Sequence, residues 1–178
     1  KVGVDNIAIG ANALRNGNHA SSSRIAIGTN ALMAGGAGIA IGNYALTAST
    51  GTYNTAIGNG ALKENTTGSN NIAMGSDALR VNTTGTYNLA IGNNALTSNS
   101  TGNDNFAMGN NALSQNTTGV YNLALGNGAL SSNTTGGSNF GLGVNPFRAT
   151  TTGRNNVGIG VEAMFKNTTG ENNIGFGN

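Results

Sequence analysis

Acid–base or nucleophilic catalysis needs a base held at a fixed distance from a second reactive group. This sequence offers one histidine, His19, and six carboxylates: Asp5, Glu64, Asp77, Asp104, Glu162 and Glu171. The histidine lies in a polar stretch, Gly17-Asn18-His19-Ala20-Ser21, which reads as a solvated loop. The carboxylates are scattered so that no two are set as a pair, as glycoside hydrolysis would need. There is no cysteine, so thiol chemistry and disulfides are excluded. Gly-x-Gly recurs along the chain, as in Gly58-Asn59-Gly60, Gly126-Asn127-Gly128 and Gly141-Leu142-Gly143. None of these opens a helix pattern, so they read as turns rather than phosphate loops. Calcium-binding repeats carry aspartate in each turn, whereas the turns here carry Asn and Thr. The expectation is a protein that is not an enzyme, with no cofactor and no metal.

Two polar patterns remain. Asn65, Asn82, Asn99, Asn116, Asn133 and Asn167 match the glycosylation acceptor pattern, but the stronger reading of each is a turn asparagine. Thr66, Thr83, Thr117, Thr134 and Thr168 form one recurring file, and Thr67, Thr84, Thr118, Thr135 and Thr169 another. Regular hydroxyl files are what an ice-binding solenoid presents, so ice binding stands as an alternative function.

These patterns all descend from one repeat. Aligning the chain on the glycine that ends each apolar triplet gives Gly10, Gly28, Gly42, Gly58, Gly75, Gly92, Gly109, Gly126, Gly143, Gly160 and Gly177. The steps are 18, 14 and 16 residues, then 17 seven times in succession. Residues 1–57 therefore read as irregular N-terminal coils, and 58–178 as a regular array of the same repeat. Counting from the glycine as zero, −3 and −1 are large and apolar, with Thr55 the exception at −3. Position −2 is always Ala or Gly. A large–small–large triplet closed by glycine predicts a short strand with two distinct faces. Ala and Leu follow at +3 and +4, as in Ala78-Leu79 and Ala95-Leu96, and predict a second short strand. Asn-Thr-Thr-Gly, as in residues 82–85, predicts the closing turn.

Interior glycines make helical repeats costly, at about 1 kcal/mol each, and 17 residues cannot hold two helices. The fold class is therefore all-β, a parallel β-solenoid with about 17 residues per coil. Ten coil steps at ~4.8 Å would make a rod roughly 50 Å long. Stacking also predicts a ladder of side-chain amides from the asparagines at −4, such as Asn71, Asn88 and Asn105.

Composition narrows the partners. Charged residues are 8% of the chain and the net charge is +2, with no clustered basic stripe for nucleic acid. No apolar run approaches the ~20 residues that span a bilayer. Because the chain starts and stops partway through a repeat, it reads as part of a longer protein or as a processed chain.

The apolar residues fall on two faces. The expectation places Ile57, Ile72, Met74, Leu89, Ile91, Phe106, Met108, Leu123 and Leu125 in the coil interior. Ala56, Ala73, Ala90, Ala107, Ala124, Gly141, Gly158 and Gly175 then face outward as a chain–chain contact. The change from alanine to glycine at Gly141 suggests closer partners or a narrower coil there. Tyr53, Tyr87 and Tyr121, at −5 in alternate copies, form a candidate ligand surface for glycan stacking, or else cover a neighbouring chain.

The motif Asn-x-Ala-Ile-Gly, as in Asn6-Ile7-Ala8-Ile9-Gly10 and Asn88-Leu89-Ala90-Ile91-Gly92, resembles the head repeat of YadA-like trimeric autotransporter adhesins. The longer form with Ala-Leu and Asn-Thr-Thr-Gly resembles repeats of bacteriophage tail fibres. The resemblance implies a left-handed β-roll, three chains to a fibre, and attachment as the function. It also implies an extracellular location on a virion tail or bacterial surface, with a glycan or protein receptor. A self-polymerising extracellular filament is the other alternative.

Overall fold

The computed structural model describes residues 4–16 and 23–177; His19 lies outside them. Each repeat contributes one short strand: β1 (Ile7–Ile9), β2 (Ile25–Ile27), β3 (Gly38–Ile41), β4 (Asn54–Ile57), β5 (Ile72–Met74), β6 (Leu89–Ile91), β7 (Phe106–Met108), β8 (Leu123–Leu125), β9 (Phe140–Leu142), β10 (Val157–Ile159) and β11 (Ile174–Phe176). They form a single 11-stranded sheet in sequence order. Neighbours pair in parallel and in repeat register, so that Ala73 sits beside Ala90 and Ala90 beside Ala107. The chain is thus an all-β parallel solenoid, with one sheet running through both the irregular and the regular coils. Each coil is numbered below by its strand.

The second expected strand is absent: Ala at +3 and Leu at +4 lie in turns. The backbone explains why. Every leucine at +4 among the described residues has a positive φ, from 47° at Leu32 to 56° at Leu14, and Phe147 and Met164 follow suit. A left-handed bulky residue costs on the order of 1–2 kcal/mol, and burying a leucine returns about 1.5–3 kcal/mol. The bend aims both +3 and +4 inward, whereas an extended segment would have sent them to opposite sides. Turns still stack coil on coil, through bonds such as Leu62 N–H to Ala78 O at 3.0 Å and Thr66 N–H to Thr83 O at 2.9 Å.

This arrangement reverses the expected faces. In coils 4 to 8 the alanines at −2 and +3 and the leucine at +4 are all fully buried. Ala56, Ala73, Ala90, Ala107 and Ala124 are therefore core residues and not an outer contact. Gly141 and Gly158 are buried too, and Gly175 half-buried. Conversely, Ile72, Met74 and Met108 are 42%, 39% and 41% exposed, while Ile57, Leu89, Ile91, Phe106, Leu123 and Leu125 are half-buried on the outer face. The cause is volume. Once the left-handed turn commits leucine to the interior, only a methyl group can enter from the strand opposite.

The change from alanine to glycine at −2 has the same origin. Where −2 becomes glycine, the +4 side chain reaches further across the interior: the larger Phe147 and the longer Met164 replace leucine. A methyl group added at Gly158 would sit 2.5 Å from Phe147 Cε2, and one at Gly175 would collide with Met164 Cγ. At Phe147 and Gly158 interior volume is held by exchanging which wall supplies it, and at Met164 and Gly175 the unbranched side chain takes the space of the missing methyl.

Candidate interaction surfaces

Two polar files close the regular coils. Asn71 N–H and Nδ2 both donate to Asn54 Oδ1, at 2.9 and 3.3 Å, and the same pattern repeats up to Asn173. This is the expected ladder at −4. A second ladder, missed from the sequence, runs through the turn asparagines at +7. Asn82 Nδ2 donates to Asn65 Oδ1 at 2.7 Å, and the links repeat through Asn99, Asn116 and Asn133. Both files converge on one acceptor, since Asn71 and Asn82 each donate to Gly85 O, at 2.8 and 3.0 Å. Buried amides are tolerated because their bonds are supplied in this way.

The second ladder decides the acceptor pattern. Asn65, Asn82, Asn99, Asn116 and Asn133 are fully buried with their Nδ2 groups engaged, so glycosylation there would require unfolding of the coil; Asn167 is half-buried. The first threonine file is also spent internally, as in Thr66 Oγ1 to Thr83 O at 2.9 Å and Thr134 Oγ1 to Thr151 O at 2.9 Å. Thr67, Thr84, Thr118, Thr135 and Thr169 are exposed. A hydroxyl face would thus consist of a single file at a turn.

Among the acids, Glu64 and Asp77 meet Arg80, at 2.7 and 4.0 Å, on a half-exposed surface. Among the described residues no cluster of three metal-ligating side chains occurs, and no helix is long and apolar enough to cross a membrane.

Two surfaces remain. The first is the outer face of the sheet, where −3 and −1 make two adjacent files of Ile, Leu, Met, Phe and Val along eleven strands. The second is the turn before each strand. There the residue at −5 has a positive φ, 59° at Tyr53, 58° at Tyr87 and 59° at Tyr121. Its N–H donates to the −6 carbonyl one coil earlier, as Tyr87 does to Ser69 and Tyr121 to Asn103. The column therefore stacks in register. Its three tyrosines are 77%, 62% and 64% exposed. Further along, Gly137 and Ser138 leave a notch of about 310 Å³, lined also by Thr118, Val120, Thr135, Arg154 and Asn155.

Comparison with protein-family models, curated proteins and solved structures gave no match.

Proposed function

We propose that this chain is a non-enzymatic segment of an attachment fibre, a rigid rod built from three parallel copies. One observation carries the reading: the solenoid turns its large apolar side chains outward along the whole sheet. A face of that length in water is an interaction surface, and a second copy in register offers the complementary one. The stoichiometry of three, the surface location and the attachment role rest on the resemblance of the Asn-x-Ala-Ile-Gly repeat to trimeric adhesin heads and tail fibres. A rod of this kind acts by reach and multivalency, because three chains present each surface site three times.

Light scattering on a sizing column tests this. The expected mass is three times the 17.7 kDa of one chain. Changing Met74→Asp and Met108→Asp together, on two exposed positions of the face, is expected to give a monomer with its β-spectrum retained. A wild-type monomer at tens of micromolar would overturn the proposal, and a ladder of growing species would favour the filament. The ice-binding alternative is weakened by the internal use of one threonine file.

A further inference from the structure

We infer that the turn edge carrying Tyr53, Tyr87 and Tyr121 is a platform for an extended β-1,4-linked polysaccharide, each tyrosine stacking on every second sugar ring. This goes beyond the proposed fibre role, and its test can be read whether the chain is single or threefold.

The argument begins with spacing. Tyrosines recur in every second coil, so they stand two strand steps apart, about 9.6 Å. An extended β-1,4-linked chain flips each sugar relative to the last and returns the same ring face at every second unit, a repeat close to that distance. Sugar rings present C–H groups on their faces, which bind the faces of aromatic rings, while their hydroxyls lie around the rim. Tyrosine offers both an apolar ring and a hydroxyl for such a ligand.

The positions between the tyrosines suit the rim. Asn70 and Asp104 occupy the column in the intervening coils and both are exposed, giving acceptors and donors beside the unstacked sugars. The column is held rigid by its own coil-to-coil hydrogen bonds, Asn70 N–H to Thr52 O and Asp104 N–H to Thr86 O, both at 3.1 Å. A preformed, evenly spaced platform spends little ordering entropy on binding. Past Tyr121 the alternation ends, and Asn155 stands where the next tyrosine would fall. The polar notch opens at that point, with Arg154 exposed at its wall. It gives the chain a terminus for its hydroxyls after the last stacked ring. Asp104 in the middle of the track favours a neutral chain over one with a carboxylate on every sugar.

The column itself supplies a conservative test. Asn70, Asn155 and Asn172 hold the same position with the same left-handed backbone, so Tyr→Asn changes the ligand surface and leaves the fold. Calorimetric titration would use soluble β-1,4-linked glucose and N-acetylglucosamine oligomers of two, four and six units. From Tyr53 to Tyr121 is four coil steps, about 19 Å, so six units reach all three tyrosines and two units reach one. Affinity for at least one series is expected to rise about tenfold from the shortest to the longest, as two further stacked rings are gained. The Tyr53→Asn, Tyr87→Asn, Tyr121→Asn triple variant is expected to lose that gain. Tyr44→Asn, at a tyrosine outside the column, is expected to leave it intact. No binding of either series would overturn the inference. So would binding independent of length, or a triple variant that keeps its affinity or loses chain association instead.

Discussion

Coils 4 to 8 and coils 9 to 11 wind the same backbone around different interiors. In the first group alanine on the strand faces leucine on the turn; in the second, glycine faces phenylalanine or methionine. The sheet does not notice, since Ala124 pairs with Gly141 in the same register as Ala90 with Ala107. The backbone of a coil is therefore set by its turns and stacking bonds. Side-chain volume has only to sum correctly across the gap.

The largest expected effect breaks what both groups share. The glycine that ends each strand lies directly under its successor. A methyl group on Gly92, at φ 132°, would sit 2.5 Å from Gly109 O, and one on Gly143, at φ 128°, would sit 2.5 Å from Gly160 O. Backbone strain and overpacking each cost about 1–3 kcal/mol. Gly92→Ala and Gly143→Ala should therefore lower stability to a similar degree, by roughly 2–6 kcal/mol. Hydrogen exchange resolved by coil would measure both. A mild Gly143→Ala beside a severe Gly92→Ala would show that the spine is not common to the two groups.

A smaller effect separates the groups. Gly158→Ala pushes a methyl into Phe147 and should cost about 1–3 kcal/mol. Adding Phe147→Leu rebuilds the interior of the regular coils and should recover most of that loss. The converse pair lies at the same eleven-residue spacing: Leu96→Phe should destabilise alone and be tolerated together with Ala107→Gly. Double-mutant cycles would give favourable coupling of about 0.5–3 kcal/mol in both places. Additive behaviour would mean that the exchange of volume is coincidental.

The sequence made the solenoid, its repeat length and the first strand of each repeat legible, because a glycine every 17 residues and a two-faced triplet leave few other folds. The ladder at −4 followed from stacking alone. The orientation of the faces did not. Reading Ala-Leu as a strand hid the left-handed leucine that fills the core, and periodicity cannot show which face of a two-sided apolar strand points inward. The compensation between Gly158 and Phe147 was a usable signal, since an interior position that shrinks while another grows marks both as core. Tyr53, Tyr87 and Tyr121 stand out in the sequence by their recurrence at −5 in alternate copies, which does not depend on which face of the strand points inward.

The smallest expected effect lies in the ladder at +7, and it again sets coil 9 against the regular coils. Thr150 stands where asparagine is the rule, and it spends its hydroxyl on Asn167 O at 2.6 Å. Asn133 Oδ1 below and Asn167 Nδ2 above are left buried without partners. An unsatisfied buried polar atom costs about 1–3 kcal/mol. Importing the defect as Asn99→Thr removes the amide's bonds to Asn82 Oδ1 and Gly102 O and the acceptor used by Asn116. That should cost about 1–3 kcal/mol. Thr150→Asn should supply a donor to Asn133 and an acceptor to Asn167 while giving up the threonine bond, for a gain of about 1 kcal/mol. The two substitutions are opposite in sign but unequal in size, since the first gives up three amide bonds, whereas the second sets the loss of the Thr150 bond against the bonds it gains. If Thr150→Asn destabilises coil 9 in coil-resolved exchange, then the threonine bond outweighs both open partners and the ladder is not the unit that holds the turns together.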